Sequence, residues 1–322
     1  MLAPREATMD TIRGERTILV ATDDGLHIFD IGSGAGASEA GRIDDLAGRE
    51  INALESEGGG SWALVDGKEL WRGGGGSWSS VATTGRRKAT CLAETPAGLL
   101  VGTTRAHLLR LEDSRLAPIT SFARAEGREA WHTPWGAPAD VRSISAAREG
   151  AVYVNVHVGG VLRSRDGGAS WQPLLDIEHD VHQVHAPAGH PGLVLVAAYD
   201  GFGVSRDSGD TWTWQNDGLH AHYCRAVALA GDTVILSASA GHHGRRAALY
   251  RRGLEEQGKW ERCAAGLPEW FSDNVDTSCV GARGDTVAIG TEDGCVFLSI
   301  DAGRRWECIA KGLAPVRAVT FG

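Results

Sequence analysis

The sequence lacks any apolar run close to the ~20 residues that a membrane-spanning helix requires. Residues 1–16 mix acidic and basic side chains and contain no apolar segment of the kind found in secretory signals. Positive charge is also scarce, because 32 Lys and Arg stand against 41 Asp and Glu, for a formal net charge of -9. Non-specific nucleic-acid binding needs a basic surface. The sequence therefore predicts a cytoplasmic protein without membrane or nucleic-acid partners.

The six cysteines form no Cys-x-x-Cys pair. Single cysteines inside apolar runs are typical of small core residues in a reducing compartment, rather than of a disulfide framework. Glycine, by contrast, is abundant, with 44 copies in 322 residues. Because glycine favours turns, this abundance indicates many short strands and predicts an all-β protein.

One pattern, Ser-x-Asp-x-Gly-x-x-Trp, occurs three times, beginning at Ser164, Ser205 and Ser299. The first two copies are 41 residues apart, and the third follows 94 residues after the second, with a degenerate copy at 252–260 between them. We expect each copy to close a β-hairpin. The Asp side chain would accept hydrogen bonds from backbone N–H groups, the Gly would take a positive φ, and the Trp would fold back over the turn.

Short apolar strands recur around these turns with a period of about 40–45 residues, which is typical of the four-stranded blades of a propeller. Inner strands are predicted at seven places: 51–54, 89–92, near Val141, near Val181, near Cys224, near Asp276 and at 316–319. The sequence thus predicts a seven-bladed β-propeller, with six blades as the alternative, closed by a C-terminal strand that completes the N-terminal blade. Residues 1–16 are predicted to be a tail, and residues 17–322 a single domain.

The three intact copies resemble the Asp-box, or BNR, repeat over about residues 140–312. The resemblance implies that each copy marks one blade and lies on the face away from the functional site. Sialidases, glycoside hydrolases, sortilin-type and reelin-type receptors and photosystem II assembly factors resemble this pattern. The Arg-Ile-Pro signature of sialidases does not occur, and no Tyr–Glu nucleophile pair can be matched, so the chain is sialidase-like only in its repeats. The photosystem II assembly factors are closer in length, and they carry an arginine patch on one face.

In a propeller, the loops that enter the inner strands and the turns between the second and third strands open on one face, here called the upper face. The box copies lie on the opposite, lower face. Eight of the twelve histidines map to the upper face or to the beginnings of the inner strands. Imidazoles from several blades can bind Zn, Fe, Mn or Cu. The predicted metal ligands are His157, His182, His222 and His242, and the alternative is that they are polar loop residues.

Arginines occupy the second position of three inner strands, at Arg142, Arg225 and Arg317, and His182 has that position in a fourth. Their guanidinium groups suit a carboxylate or phosphate. Alternatively, each pairs with an acid such as Asp140, Asp180 or Asp276 and joins neighbouring blades. Aromatic side chains suited to stacking on a ligand, or to covering the central opening, complete the predicted ligand-binding set. That set also includes Trp131, Trp135, His179, Tyr223 and Trp270.

These residues predict two classes of function. The first is a metal-dependent lyase or hydrolase for a small acidic or polar substrate, with His182, Tyr199 and Asp200 as catalytic residues. The second is a non-catalytic scaffold that binds a protein partner on the same face. An enzyme pocket is expected to be concave with converging polar groups. A docking face is expected to expose aromatic or apolar side chains.

Overall fold

The computed structural model describes residues 17–32, 36–57, 60–74, 77–255 and 258–322, and the predicted tail at 1–16 lies outside them. The described residues form seven antiparallel sheets of four strands each. Short 3-10 helices lie in the connections, at Asp44–Leu46, Phe122–Arg124, Arg128–Ala130 and Ile177–His179. Within the described ranges, no helix has the length and apolar character needed to cross a membrane.

The first three sheets come from the N-terminal part of the chain. The strands of sheet one are β1 (Thr17–Thr22), β2 (Gly25–Ile31) and β3 (Ala37–Arg42). The strands of sheet two are β4 (Ile51–Glu57), β5 (Gly60–Val65), β6 (Glu69–Gly74) and β7 (Ser77–Thr83). The strands of sheet three are β8 (Ala89–Thr95), β9 (Gly98–Thr103), β10 (His107–Glu112) and β11 (Arg115–Pro118).

The next three sheets each end in an outer strand of two residues. The strands of sheet four are β12 (Val141–Ala146), β13 (Val152–Val156), β14 (Gly160–Ser164) and β15 (Gln172–Pro173). The strands of sheet five are β16 (Val181–His185), β17 (Val194–Ala198), β18 (Gly201–Ser205) and β19 (Thr213–Trp214). The strands of sheet six are β20 (Tyr223–Ala230), β21 (Thr233–Ser239), β22 (Ala248–Gly253) and β23 (Glu261–Arg262).

The last five strands complete the array. The strands of sheet seven are β24 (Val280–Arg283), β25 (Thr286–Gly290), β26 (Val296–Ser299) and β27 (Glu307–Ala310), and β28 (Val316–Phe321) follows them. β28 pairs antiparallel with β1 and is the fourth strand of sheet one. The strands β4, β8, β12, β16, β20, β24 and β28 pack against one another in turn, and β28 packs against β4. The protein is therefore a seven-bladed β-propeller: the prediction of seven blades is confirmed, and the six-bladed alternative is wrong.

Each interface between neighbouring blades has its own apolar cluster, because most strand residues are buried on both faces of their sheet. Along β1, Ile18 and Val20 pack toward sheet seven, whereas Leu19 and Ala21 pack toward sheet two. Successive side chains of a strand point to opposite faces. The continuous apolar runs of the sequence are thus explained by two-sided burial.

The three Ser-x-Asp-x-Gly-x-x-Trp copies, here called box turns (164–171, 205–212 and 299–306), close the hairpins β14–β15, β18–β19 and β26–β27. In the second turn, Gly209 has a φ of 96° and its N–H donates to Ser205 Oγ at 2.7 Å. Asp207 Oδ1 accepts from the N–H of Thr211 at 2.8 Å, and the Trp212 indole N–H donates to the Gly209 carbonyl at 2.9 Å. The predicted geometry is confirmed for this turn. The degenerate copy at 252–260 contains residues 256–257, which lie outside the described residues.

The first and third box turns repeat these backbone contacts. Asp166 Oδ1 accepts from the Ser170 N–H and Asp301 Oδ1 from the Arg305 N–H, each at 2.9 Å. The indole of Trp306 donates to the Gly303 carbonyl, as in the second turn, whereas the indole of Trp171 donates to Ser121 Oγ at 3.3 Å. Neighbouring blades therefore adjust the outer end of the turn, while its Ser–Asp core stays the same.

The cysteines are all free, as predicted, and four of the six are buried: Cys91, Cys224, Cys263 and Cys279. Burial raises the pKa of Cys91 and Cys263 to about 12. These thiols therefore stay protonated at neutral pH and serve as small core residues.

Candidate functional site

Near the start of six innermost strands, the residue at the predicted second position falls where the ladder to the next strand is interrupted. In sheet four, Val141 pairs with Val156 and Ser143 pairs with Asn155, so Arg142 is left out of the register. The same shift skips Asn52, Thr90, His182, Arg225 and Arg317. An extra residue in one strand is a β-bulge, which turns a side chain away from the alternating pattern. In the seventh blade, β24 begins at Val280, later than predicted, because the chain turns at Ser278 with a φ of 67°.

These bulges supply the lining of two clefts on the upper face. The axial cleft, about 380 Å³, is lined by second-position residues of six blades: Asn52, Thr90, Arg142, Arg225, Thr277 and Arg317. The lateral cleft, about 590 Å³, extends over blades four to six and includes Asp180, Tyr199, Tyr223 and His242. Trp135, Arg142, His157 and Arg225 line both clefts. The structure therefore brings together eight of the predicted site residues: Trp135, Arg142, His157, Tyr199, Tyr223, Arg225, His242 and Arg317.

Six of the seven second-position side chains have a bonding partner. Asn52 accepts from the N–H of Gly67, Thr90 donates to the Val141 carbonyl, and Thr277 donates to the His182 and Arg225 carbonyls. His182 Nδ1 lies 2.6 Å from the carbonyl oxygen of Cys224, and the remaining two are arginines in ion pairs. Arg142 is the exception, since it makes no hydrogen bond or ion pair with any other residue that the structure describes.

The two paired arginines join neighbouring elements of the ring. Arg317 donates two hydrogen bonds to Asp23 and one to Glu292, each at 2.6 Å, and these partners raise the pKa of Arg317. Arg225 pairs with Asp276 and donates to the Tyr223 hydroxyl at 3.1 Å. These two residues fit the alternative that the arginines form ion pairs, and Arg142 is the one second-position arginine without a counter-charge among the described residues.

The environment of Arg142 disfavours its charge. Burial, together with the nearby Arg225, lowers the pKa of Arg142 to about 10. Asp276 and Asp180 act in the opposite direction without contacting the guanidinium. A desolvated charge without a partner costs free energy. An incoming anion at this position would restore the missing interactions.

Asp180 lies between two histidines. His157 Nε2 is 3.7 Å from Asp180 Oδ1, and His182 Nε2 is 3.7 Å from Asp180 Oδ2. Burial, followed by the charge of Arg142, lowers the pKa of His157 to about 4. Burial alone would raise the pKa of Asp180, but His182, His157 and Arg142 hold it below its usual value. At neutral pH this group therefore consists of a carboxylate and neutral imidazoles.

His182 has one unsatisfied ring nitrogen. Because a carbonyl oxygen only accepts, the contact with Cys224 requires the proton of neutral His182 on Nδ1. Nε2 is then an acceptor, and it is buried without a hydrogen-bond partner. Burial lowers the pKa of His182, which keeps the ring neutral. His182 lies beneath the Tyr223 ring, with the ring centres 4.7 Å apart, and does not line either cleft.

Aromatic side chains form the rim of the lateral cleft. Trp135 and Tyr199 are 73% and 59% exposed, and both are among the few exposed large hydrophobic residues of the described chain. Trp135 meets the His157 ring edge to face, with the centres 5.4 Å apart. Tyr199 meets Tyr223 in the same way at 6.0 Å. Exposed aromatic residues next to a pocket are typical of an interaction surface.

The other predicted site residues lie elsewhere. Trp131 packs on Phe122 and lines a separate cleft with Leu162 and Ile177. His179 Nδ1 is 2.7 Å from Asp200 Oδ2, and its ring stacks on Trp214 with the centres 4.3 Å apart. The remaining two residues are His222, which is exposed, and Trp270, which packs against His220 and Arg262. Sequence position put these residues on the correct loops but did not reveal the local partners that hold them away from the clefts.

Metal ligands do not gather in the described part of the chain. No group of three or more His, Cys, Asp or Glu residues there lies close enough to hold a metal ion. His157 and His182 both approach Asp180, whereas His222 and His242 lie on exposed loops. The transition-metal site stays a prediction, and elemental analysis of the wild type and of the His157→Ala and His182→Ala variants tests it.

Asp23 is a site residue that the sequence interpretation missed. It lies in the β1–β2 turn and neutralises Arg317. The signal was present, because Thr22-Asp23-Asp24-Gly25 matches Thr291-Glu292-Asp293-Gly294, the corresponding turn of blade seven. Aligning all the turns between the second and third strands of the predicted blades would have found it.

No family model matches the chain, and a search of curated proteins also finds no match. Solved structures do resemble it. YCF48 bound to D1 peptide has a TM-score of 0.56 and 14% identity, with 85% of each chain covered. The WD40 β-propeller domain of Doa1 has a TM-score of 0.57 and 14% identity, covering 80% of this chain and 81% of that one. The computationally designed Ika8 protein has a TM-score of 0.55 and 14% identity, covering 90% and 82%. At these identities, the likeness shows that the chain has the β-propeller fold.

Proposed function

We propose that this protein is a binding propeller that holds an anionic segment of a protein partner on its upper face, with Arg142 as the charge anchor. The observation that carries the proposal is the missing partner of Arg142. The other six second-position side chains are bonded to neighbouring blades or turns. Arg142 lies at the junction of two clefts and has no such bond among the described residues.

An unpaired, partly buried guanidinium reduces the stability of the fold. Burial and Arg225 lower the pKa of Arg142 to about 10, because the fold itself does not fully compensate the charge. A carboxylate or phosphate of a partner supplies charge-assisted hydrogen bonds, each worth about 1.5–3 kcal/mol. The free protein thus carries a cost that a bound anion removes.

The rim supports a macromolecular partner rather than a small molecule. Trp135 and Tyr199 are largely exposed, and their rings offer apolar area at low cost in side-chain entropy. A small ligand in the cleft would leave most of this surface in water. YCF48 has been solved with a bound peptide, which supports peptide binding as a use of this fold.

The predicted catalytic residues support binding more than chemistry. His182 is buried against Tyr223, and Asp200 is held by His179, so neither lines the lateral cleft in which Tyr199 lies. The hydrogen bonds of the box turns support a further proposal, that the chain is a member of the Asp-box group of propellers.

Selection of peptides tests the proposed function. A random dodecapeptide phage library is selected on the wild-type protein, and the enriched peptides are assayed by fluorescence polarisation against Arg142→Gln and the matched variant Arg304→Gln. Peptides rich in Asp or Glu are expected to bind the wild type. We expect Arg142→Gln to lose at least about tenfold in affinity, while Arg304→Gln, which removes an exposed charge from the third box turn on the lower face, keeps its affinity. Failure to enrich any peptide, or equal binding to Arg142→Gln, would contradict the proposal.

A further inference from the structure

A second basic element lies beside the lateral cleft, in the turn between β21 and β22. Its sequence, 241–246, is Gly-His-His-Gly-Arg-Arg, and the His and Arg side chains are all exposed. His242 lines the lateral cleft together with Arg142 and Tyr223. The turn therefore continues the surface of the cleft outward over blade six.

The fold holds this turn in a defined conformation. Gly244 has a φ of 65°, and a Cβ atom there would collide with Asp273, so a glycine is required. The guanidinium of Arg246 lies 6.0 Å from the centre of the Trp270 ring, and that of Arg262 lies 4.0 Å from it. Cation–π contacts of this kind orient an arginine while leaving its N–H groups free to bind.

Acidic side chains are distributed unequally on the two sides of the lateral cleft. Glu178 and Asp180 line its blade-five side, and Glu178 is exposed. On the blade-six side, Asp276 is already paired with Arg225, and Asp273 accepts a hydrogen bond from the N–H of Asn274. A polyanionic ligand anchored at Arg142 is thus repelled by the acids of blade five and attracted toward Arg245 and Arg246.

We infer that the partner presents an extended segment with several acidic side chains, running from Arg142 across Tyr223 and His242 to Arg245 and Arg246. This inference rests on the proposed function and goes beyond it by naming the second contact and the chemistry of the segment. The chain as a whole is acidic, with a formal net charge of -9. A basic strip on one face would therefore attract an acidic segment to that strip rather than to the rest of the protein surface.

The lower face offers a matched control. The third box turn carries the exposed pair Arg304 and Arg305 after Gly303, as the upper turn carries Arg245 and Arg246 after Gly244. Replacing either pair by Gln removes the same charge from the same chain. Only the position of the lost charge differs between the two double variants.

The probes are a fluorescein-labelled dodecapeptide containing six Glu and one central Trp, the same peptide with Gln for Glu, and N-acetyl-tryptophan, which carries one carboxylate. Binding of the labelled peptides is measured by fluorescence polarisation from 50 to 500 mM NaCl. Binding of the unlabelled N-acetyl-tryptophan is measured by its competition with the labelled Glu peptide. We expect Arg245→Gln/Arg246→Gln to weaken the Glu peptide about fivefold at low salt, as for two exposed ion pairs. The difference should shrink at high salt because of screening. Arg304→Gln/Arg305→Gln should bind as the wild type does.

Each other outcome separates the two proposals. If Arg142→Gln abolishes binding but Arg245→Gln/Arg246→Gln has no effect, the second contact is wrong and the proposed function stands. If N-acetyl-tryptophan binds as tightly as the Glu peptide, or the Gln peptide binds equally well, the acidic segment is wrong. If Arg142→Gln retains full affinity for the Glu peptide, the proposed function fails as well.

Discussion

The two faces of the propeller use similar residues in opposite ways. On the lower face, Ser, Asp and Trp recur in three turns, and their polar groups are bonded within the turn or to the adjacent blade. On the upper face, the seven second positions hold four residue types (Asn, Thr, Arg and His), and one of these residues, Arg142, has no partner in the described chain. Repetition on one face marks residues that build blades, whereas variation on the other marks residues that serve binding.

Substitution of a tryptophan on each face is expected to give the largest difference in the free energy of unfolding. Trp306 is 6% exposed within the cluster between blades six and seven, whereas Trp135 is 73% exposed at the cleft rim. We expect Trp306→Ala to lower the free energy of unfolding by about 3–5 kcal/mol, since it removes a buried aromatic ring. Trp135→Ala should change it by no more than about 0.5 kcal/mol. Urea unfolding measures both, and similar losses in the two variants would contradict the assignment of the faces.

Substitutions of Arg317 and Arg142, which share the second strand position, are expected to give a smaller difference in stability. Arg317→Gln leaves Asp23 and Glu292 without their cation, and because these groups are partly exposed we expect a loss of about 1 kcal/mol. Arg142→Gln removes an uncompensated charge beside Arg225, so stability should stay the same or rise. Denaturation midpoints measure both changes. An equal loss of stability in Arg142→Gln and Arg317→Gln would contradict the statement that Arg142 has no partner.

Strong acid should weaken the box turns of the lower face. The hydroxyls and N–H groups of Ser170 and Thr211 hold the pKa of Asp166 and Asp207 at about 2, below the usual 3.8. A depressed carboxylate pKa gives stability that is present above pH 4 and is lost as the pH falls from about 4 to 2. The Asp166→Asn/Asp207→Asn variant should lose less Tm between pH 5 and 2.5 than the wild type. The exposed Asp113→Asn is the control, and an unchanged acid response of the double variant would contradict the role of the box carboxylates.

The smallest effect concerns His157 on the upper face. Burial and Arg142 hold its pKa at about 4, so its ring should not titrate between pH 8 and 5.5 in NMR spectra. An unfolded histidine takes a proton near pH 6.5, so His157 makes the fold less stable as the pH falls from 6.5 toward 4. Arg142→Gln should raise the pKa of His157. Titration near pH 6.5 in the wild type would contradict the described burial.

Much of the architecture could be predicted from the sequence, because the blades repeat. The period of the box turns and the apolar inner strands led to seven blades, and the shared second position identified Arg142, Arg225 and Arg317 together. What separates these three arginines is not local. Asp23 lies 294 residues before Arg317, and Asp276 lies 51 residues after Arg225, so their pairing depends on how the ring brings distant turns together. For the same reason, position alone could not show that His179 binds Asp200 or that Trp131 faces another cleft.

The indole N–H signals of the tryptophans provide the most direct test of binding on the upper face. The acidic Glu peptide is titrated into ¹⁵N-labelled protein while the indole resonances are followed. The signal of Trp135 is expected to shift with saturation, and the signals of the lower-face residues Trp171, Trp212 and Trp306 are expected to stay in place. Shifts confined to the lower-face indoles, with Trp135 unchanged, would contradict the claim that the upper face is the binding surface.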